Sequence, residues 1–389
     1  MSTNDPAHSR LLSLDAFRGL TILAMILVNN PGTWSSLYWP VAHAKWHGWT
    51  PTDLVFPWFL FIVGAAMAFS QRKFRDGLWN SIAIRRIARR TLALLALGLT
   101  LNASGSLLRP LVGESLTLDV SQLRLPGVLQ RIALAYLFAS CITLALRPRW
   151  QLVLACVLLF GYAGTLTYLP NPSETTSNLS PTDNVVRRID LAILGADHMY
   201  THATSEPTDP EGLLSTLPAI VTTLIGYAAG TFLRDAPRNY GTAGKLAAAG
   251  AACFVVGWLW DRLGLPINKK LWTSSFVLAT GGLACVGLAM SFALFDVVRR
   301  PRLALPLQLV GVNAIFLFVA SGLTSRLLSM VEVAQGTEST SLQRWLYATL
   351  CDSWISPPEA SSLAYAMLTM AFWWLVAAGL WRRGWAWRV

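Results

Sequence analysis

The 389-residue chain is 54% hydrophobic and only 13% charged, about half the ~25% charge of an ordinary soluble domain. That balance excludes a soluble fold. The net charge of +11 does not mark a nucleic-acid binder, because Lys and Arg cluster in short connectors between apolar runs, as the positive-inside rule expects. The runs approach one bilayer span each, roughly 20 residues. They predict ten helices over 14–31, 53–71, 91–109, 127–146, 150–169, 213–233, 245–261, 273–297, 304–322 and 359–381. The expected fold is therefore all-α, a polytopic membrane protein in a single domain over 1–389. The densest basic run is Arg72, Lys73, Arg75, Arg85, Arg86, Arg89 and Arg90. Placing it in the cytoplasm puts both termini there by alternation.

The first span opens on Asp15-Ala16-Phe17-Arg18-Gly19. Asp15 and Arg18 share a helical face at a spacing of three. They are either a local ion pair that softens the cost of charge near lipid or a contact to a cytoplasmic ligand. Asn29, at the end of the span, is either a helix-end amide satisfied by backbone or a group that holds a reacting carbonyl. The loop that follows carries Trp34, Tyr38, Trp39, His43, Trp46, His47 and Trp49. An imidazole there can take and return a proton near neutral pH. His43 ranks first as a base and His47 second. Asp53 then opens the second span as a helix N-cap, and it is also placed to orient the His43 ring. Pro57 is read as lying in the first turn.

The connector Gln71–Arg90 is amphipathic and basic. It suits an interfacial helix among anionic headgroups or a docking surface for a phosphorylated cytosolic ligand. Arg131, at the start of the fourth span, should face the bundle interior and find a partner, either a structural ion pair or a substrate oxygen. The long outer segment Pro170–Gly212 carries Asp190, Asp197, His198, Tyr200, His202, Asp209 and Glu211. His198 and His202 have zinc spacing on a helix, but Gly195 and Pro207 argue against a helix and no third ligand is evident, so no metal is expected. A third outer loop, Thr324–Pro358, is polar. Five cysteines give no disulfide framework and read as core filler. The polar start Met1–Arg10 leads into a full span rather than a cleavable signal peptide.

Several segments together resemble the transmembrane N-acetyltransferases typified by heparan-alpha-glucosaminide N-acetyltransferase. They are Leu14–Gly19, Val28-Asn29, His43–Trp46, Asp53–Phe59, Pro126–Arg131, Asp197-His198 with Tyr200, Asp209–Gly212, and Pro266–Lys269 with Leu271-Trp272. The resemblance implies acetyl-CoA as cytosolic co-substrate and the amine of a glucosamine-type sugar as acceptor on the far side. It sets His43 on the family's catalytic histidine and Asn29 on its active-site asparagine. Asp53, Arg131, Trp46, Asp197, His198 and Glu211 then become candidates for the sugar, and Arg18, Arg85, Arg86 and Arg89 for the CoA phosphates. Without the lumenal domain of the lysosomal members, the chain is expected to be a multi-pass protein of a bacterial inner membrane. Its expected partners are membrane lipids, acetyl-CoA and an amino sugar, with a homodimer as one option and no nucleic acid. The rival readings are an amino-sugar permease and an O-acyltransferase of envelope glycans.

Overall fold

The computed structural model of the protein describes residues 11–74, 81–169, 178–200, 206–335 and 338–387. Thirteen α-helices follow in chain order: α1 (Leu12–Asn29), α2 (Pro51–Ser70), α3 (Ser81–Leu107), α4 (Val128–Ala145), α5 (Pro148–Tyr168), α6 (Val185–Leu194), α7 (Thr216–Asp235), α8 (Tyr240–Arg262), α9 (Ser274–Phe292), α10 (Pro301–Val312), α11 (Ala314–Met330), α12 (Leu342–Tyr347) and α13 (Pro358–Arg382). One short antiparallel hairpin, β1 (Glu332–Gln335) with β2 (Glu338–Ser341), precedes α12. Among the described residues nine helices are long and apolar enough to cross a membrane, and α10 with α11 makes a tenth span bent by 61°.

All ten expected spans have a counterpart, but several details differ. The ninth is broken at Asn313, whose backbone leaves the helical region at φ −111°, ψ 30°. Its side-chain amide is spent on the C-terminal tail instead, donating to the Trp385 carbonyl at 3.0 Å and accepting from the Trp387 N–H at 2.7 Å. The basic run after α2 is not a separate interfacial helix. From Ser81 onward it forms the first turns of α3 itself, with Ala83 and Ile87 buried and Arg85, Arg86 and Arg89 exposed. Arg75 and Trp79 lie outside the described residues. The loop expected over Thr324–Pro358 begins as the last turns of α11 and then carries the hairpin and α12.

Helices α2 and α7 are the most buried of the bundle. Gly64 lies against the Thr223 carbonyl and Gly226 against that of Phe61, where any Cβ would collide with backbone. Small residues let two helices approach closely in lipid, where apolar burial alone does not drive them together. Alternation of the spans gathers the described parts of the connectors after α1, α3, α5, α8 and α11 at one end of the bundle, the site end. The opposite end is marked by Asp296, which accepts from the Leu12 and Ser13 N–H groups at 3.0 Å each. At 1.5 Å per residue the twenty residues of α2 separate the two ends by ~30 Å.

Candidate active site

The site is organised by one buried carboxylate. Asp53 is only 1% exposed and occupies the third position of α2. The N-cap of that helix is Thr50, not Asp53, and Pro57 sits inside the helix rather than in its first turn. The Thr50 N–H donates back to Asp53 Oδ2 at 3.1 Å, and the Ala44 N–H donates to the same oxygen at 3.0 Å. This is the reach-back half of a capping box, extended to a second strand of chain. The Thr50 hydroxyl donates to the Ala42 carbonyl at 2.6 Å and the Thr52 hydroxyl to that of Pro40 at 3.0 Å. Those bonds seat the loop on the helix start and bring His43 over Asp53.

The remaining oxygen, Asp53 Oδ1, lies 2.6 Å from His43 Nδ1 and 3.2 Å from Lys269 Nζ. Lys269 Nζ is in turn 3.1 Å from His43 Nδ1. An ionised carboxylate only accepts, so the partners assign the Nδ1 proton to His43 and leave Nε2 as an acceptor. The ring is 42% exposed at the side chain while its anchor is covered. The arrangement can take a proton at Nε2 and offset the resulting charge through Asp53.

Lys269 comes from the α8–α9 connector, which is built tightly. Asn268 is fully buried and accepts from the Leu271 N–H at 2.9 Å, while its own N–H donates to Thr273 Oγ1 at 3.0 Å. Trp272 adopts φ +51°, a left-handed conformation that a bulky residue holds only when its surroundings over-determine it. Here it is 1% exposed and meets Phe56 and Phe276 edge-on at 5.1 and 5.2 Å. Gly48, at φ +89°, donates to the Ile267 carbonyl at 2.7 Å and locks this connector to the His43 loop. Burial holds the Lys269 ammonium below the usual lysine range, opposed by Asp53. Burial likewise lowers His47, opposed by Asp261. His47 Nδ1 faces the Asn268 amide at 3.3 Å, so the carboxylate partner belongs to His43.

A second ion cluster stands at the same end. Arg124 makes a two-pronged contact with Asp209 at 2.8 and 2.7 Å and reaches Glu211 at 2.6 Å. Tyr200 lies under its guanidinium, 4.8 Å from ring centroid to carbon. Burial opposes the charge on Arg124, and the two acids outweigh it and raise its pKa. His198 donates from Nδ1 to the Leu123 carbonyl at 2.7 Å. Asp197 is exposed in a single 3-10 turn over Ala196–His198.

Arg131 stands between the clusters. It is 1% exposed, donates to the Gly212 carbonyl at 3.0 Å and to the Ser215 hydroxyl, and stacks on Trp272 at 4.9 Å. Its partners are thus a carbonyl, a hydroxyl and a ring face rather than a paired acid. Nearby, Asp190 accepts the Leu213 and Leu214 N–H groups through Oδ1, and burial pushes its carboxyl up to about 6.

The structure brings His43 and Asp53 together, with Trp46 close by. Lys270 lies over the Trp46 ring at 5.5 Å, and Trp46 Nε1 donates to Leu179. It holds Glu211 in the Arg124 cluster. Asn29 lines a separate cleft with Asn30, Ser325 and Arg326 and makes no hydrogen bond to the Asp53 cluster among the described residues. Arg18 pairs with Asp15 at 3.2 Å, at the end opposite the site. Arg85, Arg86 and Arg89 stand exposed on the first turns of α3 at that same end. His202 lies outside the described residues, which contain no cluster of metal-ligating side chains. Sequence reasoning assigned no role to Lys269 and passed over Arg124. The available signal for Lys269 was its place in Pro266–Lys269, one of the segments that carry the family resemblance.

A family model described as the catalytic region of heparan-alpha-glucosaminide N-acetyltransferase matches residues 10–259. The chain is 30% identical over 361 residues to heparan-alpha-glucosaminide N-acetyltransferase of Homo sapiens, covering 80% of this chain and 52% of that protein. It is 29% identical over 368 residues to the Mus musculus protein of the same name, covering 82% and 54%. It therefore spans about half the length of the curated relatives it matches. His43, Asp53 and the Arg124 cluster fall inside the matched region, and Lys269 falls just beyond it.

Proposed function

The chain belongs to the heparan-alpha-glucosaminide N-acetyltransferase family, and from that membership we propose that it moves an acetyl group from acetyl-CoA to the amine of a glucosamine-type sugar, with His43 as general base. The single observation that supports this most is the 2.6 Å contact between His43 Nδ1 and buried Asp53 beneath an accessible ring. The base must present a free nitrogen and hold its tautomer, and this pairing does both.

The site end faces the periplasm of a bacterial inner membrane in this reading, and the arginine-rich end faces the cytoplasm. Arg85, Arg86 and Arg89 attract the CoA phosphates at the cytoplasmic end, and the pantetheine arm carries the thioester across much of the ~30 Å bundle. The sugar amine attacks the thioester carbonyl carbon as His43 Nε2 takes the amine proton. The C–N bond forms, the C–S bond breaks, and the imidazolium returns the proton to the CoA sulfur. Asp53 accepts from Nδ1 throughout, and Lys269 keeps Asp53 ionised. Asn29 enters as oxyanion donor through the family resemblance, and Glu211 and Trp46 as acceptor contacts.

An accessible base on a buried acid favours chemistry over permeation, since a permease needs polar lining but no fixed tautomer. CoA release by purified protein tests the reading. We expect release with glucosamine, little with N-acetylglucosamine, and a fall on the order of 10²–10⁴-fold in His43→Ala with unchanged thermal unfolding. Undiminished release by His43→Ala would overturn the base assignment. Equal release with both sugars would move the acceptor from amine to hydroxyl.

A further inference from the structure

A cleft of about 620 Å³ opens at the site end on elements the mechanism does not use, lined by Trp34, Ser36, Arg344, Tyr347 and Asp352. It has the size of a small-ligand site and shares no residue with the Asp53 cluster.

The cleft is built on fixed walls. Gly32 lies flat against the Tyr347 ring, where a Cβ would collide. The Thr33 N–H donates to Ser362 Oγ at 3.1 Å, and that hydroxyl donates back to the Thr33 carbonyl at 3.0 Å. The wall that carries Trp34 is thereby stitched to α13. On the floor, Tyr347 Oη and Ser361 Oγ both donate to Asp352 Oδ1, at 2.9 and 3.0 Å. Asp352 Oδ2 has no hydrogen bond among the described residues, nor does the Arg344 guanidinium. Trp34 is 61% exposed.

These groups select a ligand by chemistry. A free carboxylate oxygen accepts and a guanidinium donates, so adjacent groups that each do both, such as vicinal hydroxyls, satisfy them together. An anion would meet Asp352, and an apolar molecule would strand both charges. An indole face takes an apolar C–H surface. A neutral polyol with one flat apolar face is a pyranose. We propose that this groove binds a neutral pyranose unit, apart from the sugar that reacts at His43.

The full-length protein in detergent, carrying His43→Ala to silence turnover, can be titrated calorimetrically with N,N′-diacetylchitobiose, which has no free amine. We expect saturable binding, and a Kd raised about tenfold or more in each of Trp34→Ala, Arg344→Ala and Asp352→Asn, with thermal unfolding unchanged. Arg344→Ala alters an exposed side chain, so its folding is not at issue. Absence of binding to the parent protein would overturn the proposal. So would binding that all three substitutions leave intact, including the case where Trp34→Ala only weakens retention in vesicles and Trp34 proves to be an interfacial anchor. The readout needs no acetyl transfer, so it stands or falls independently of the His43 assignment.

Discussion

The two ion clusters at the site end are built from similar parts and end in different states. Each centres on a covered carboxylate, Asp53 or Asp209, and each ties distant stretches of chain together. Around Asp209 the partners are a guanidinium, whose charge the two acids favour, and a neighbouring acid. Around Asp53 one partner is an imidazole whose side chain is 42% exposed, and another is a lysine whose ammonium is weakened by burial. The lesson is that a buried carboxylate either only pins chain together or also orients an imidazole, according to whether a titratable partner stays accessible.

Asp53→Asn offers the strongest way to break that contrast. An amide offers a donor where His43 Nδ1–H needs an acceptor, so the tautomer is no longer held. CoA release with glucosamine should drop on the order of 10²–10⁴-fold. The double variant with His43→Ala should lose little more than either alone, since residues acting as a unit are non-additive. Additive losses in the double variant would show that Asp53 acts elsewhere. Arg124→Gln comes next and should behave in the opposite manner. It leaves Asp209 buried and unpaired, which typically costs about 3–5 kcal/mol of stability, read as a lower unfolding midpoint in detergent. The pH profile of the remaining activity should not move.

Asp190 gives a smaller effect whose sign can be worked out. Burial raises its carboxyl from 3.8 to about 6, so the folded protein holds this proton more tightly than the unfolded chain. The stability it contributes is present below pH 4, falls as pH rises through about 6, and is absent above that. A rise of that size is worth at most ~3 kcal/mol. Asp190→Asn should flatten the decline of the unfolding midpoint between about pH 4 and 6. An unchanged slope would assign that pH dependence to another group.

Much of this was legible in the chain. Ten apolar runs gave ten spans because bilayer thickness sets their length. His43 and Asp53 were readable as partners because a short loop and a helix start bring ten residues of separation together. The bend at Asn313 was not readable, since 304–322 is apolar but for Gln308, Asn313 and Ser321 and the amide's true partner is the tail. Arg131 announced its cost, but not that a carbonyl, a hydroxyl and an indole face would meet it. Lys269 was hidden most deeply, because 226 residues separate it from His43 and only tertiary contacts, such as the Gly48 N–H on the Ile267 carbonyl, join them.

Lys269→Met therefore gives the finest test, with the smallest expected effect. The substitution keeps the length of the side chain and removes a positive charge 3.1 Å from His43 Nδ1. In the proposed mechanism that charge keeps Asp53 ionised as the acceptor for His43 Nδ1–H, so CoA release at pH 7 should fall by no more than about tenfold. In the unaltered protein activity should decline below the usual lysine range, where Lys269 loses its proton, because burial outweighs the pull of Asp53. Lys269→Arg keeps the charge and cannot be deprotonated in that range, so it should restore the rate and abolish the alkaline decline. A lysine that merely braced the connector would lower the rate in both variants and leave the alkaline side of the profile unchanged.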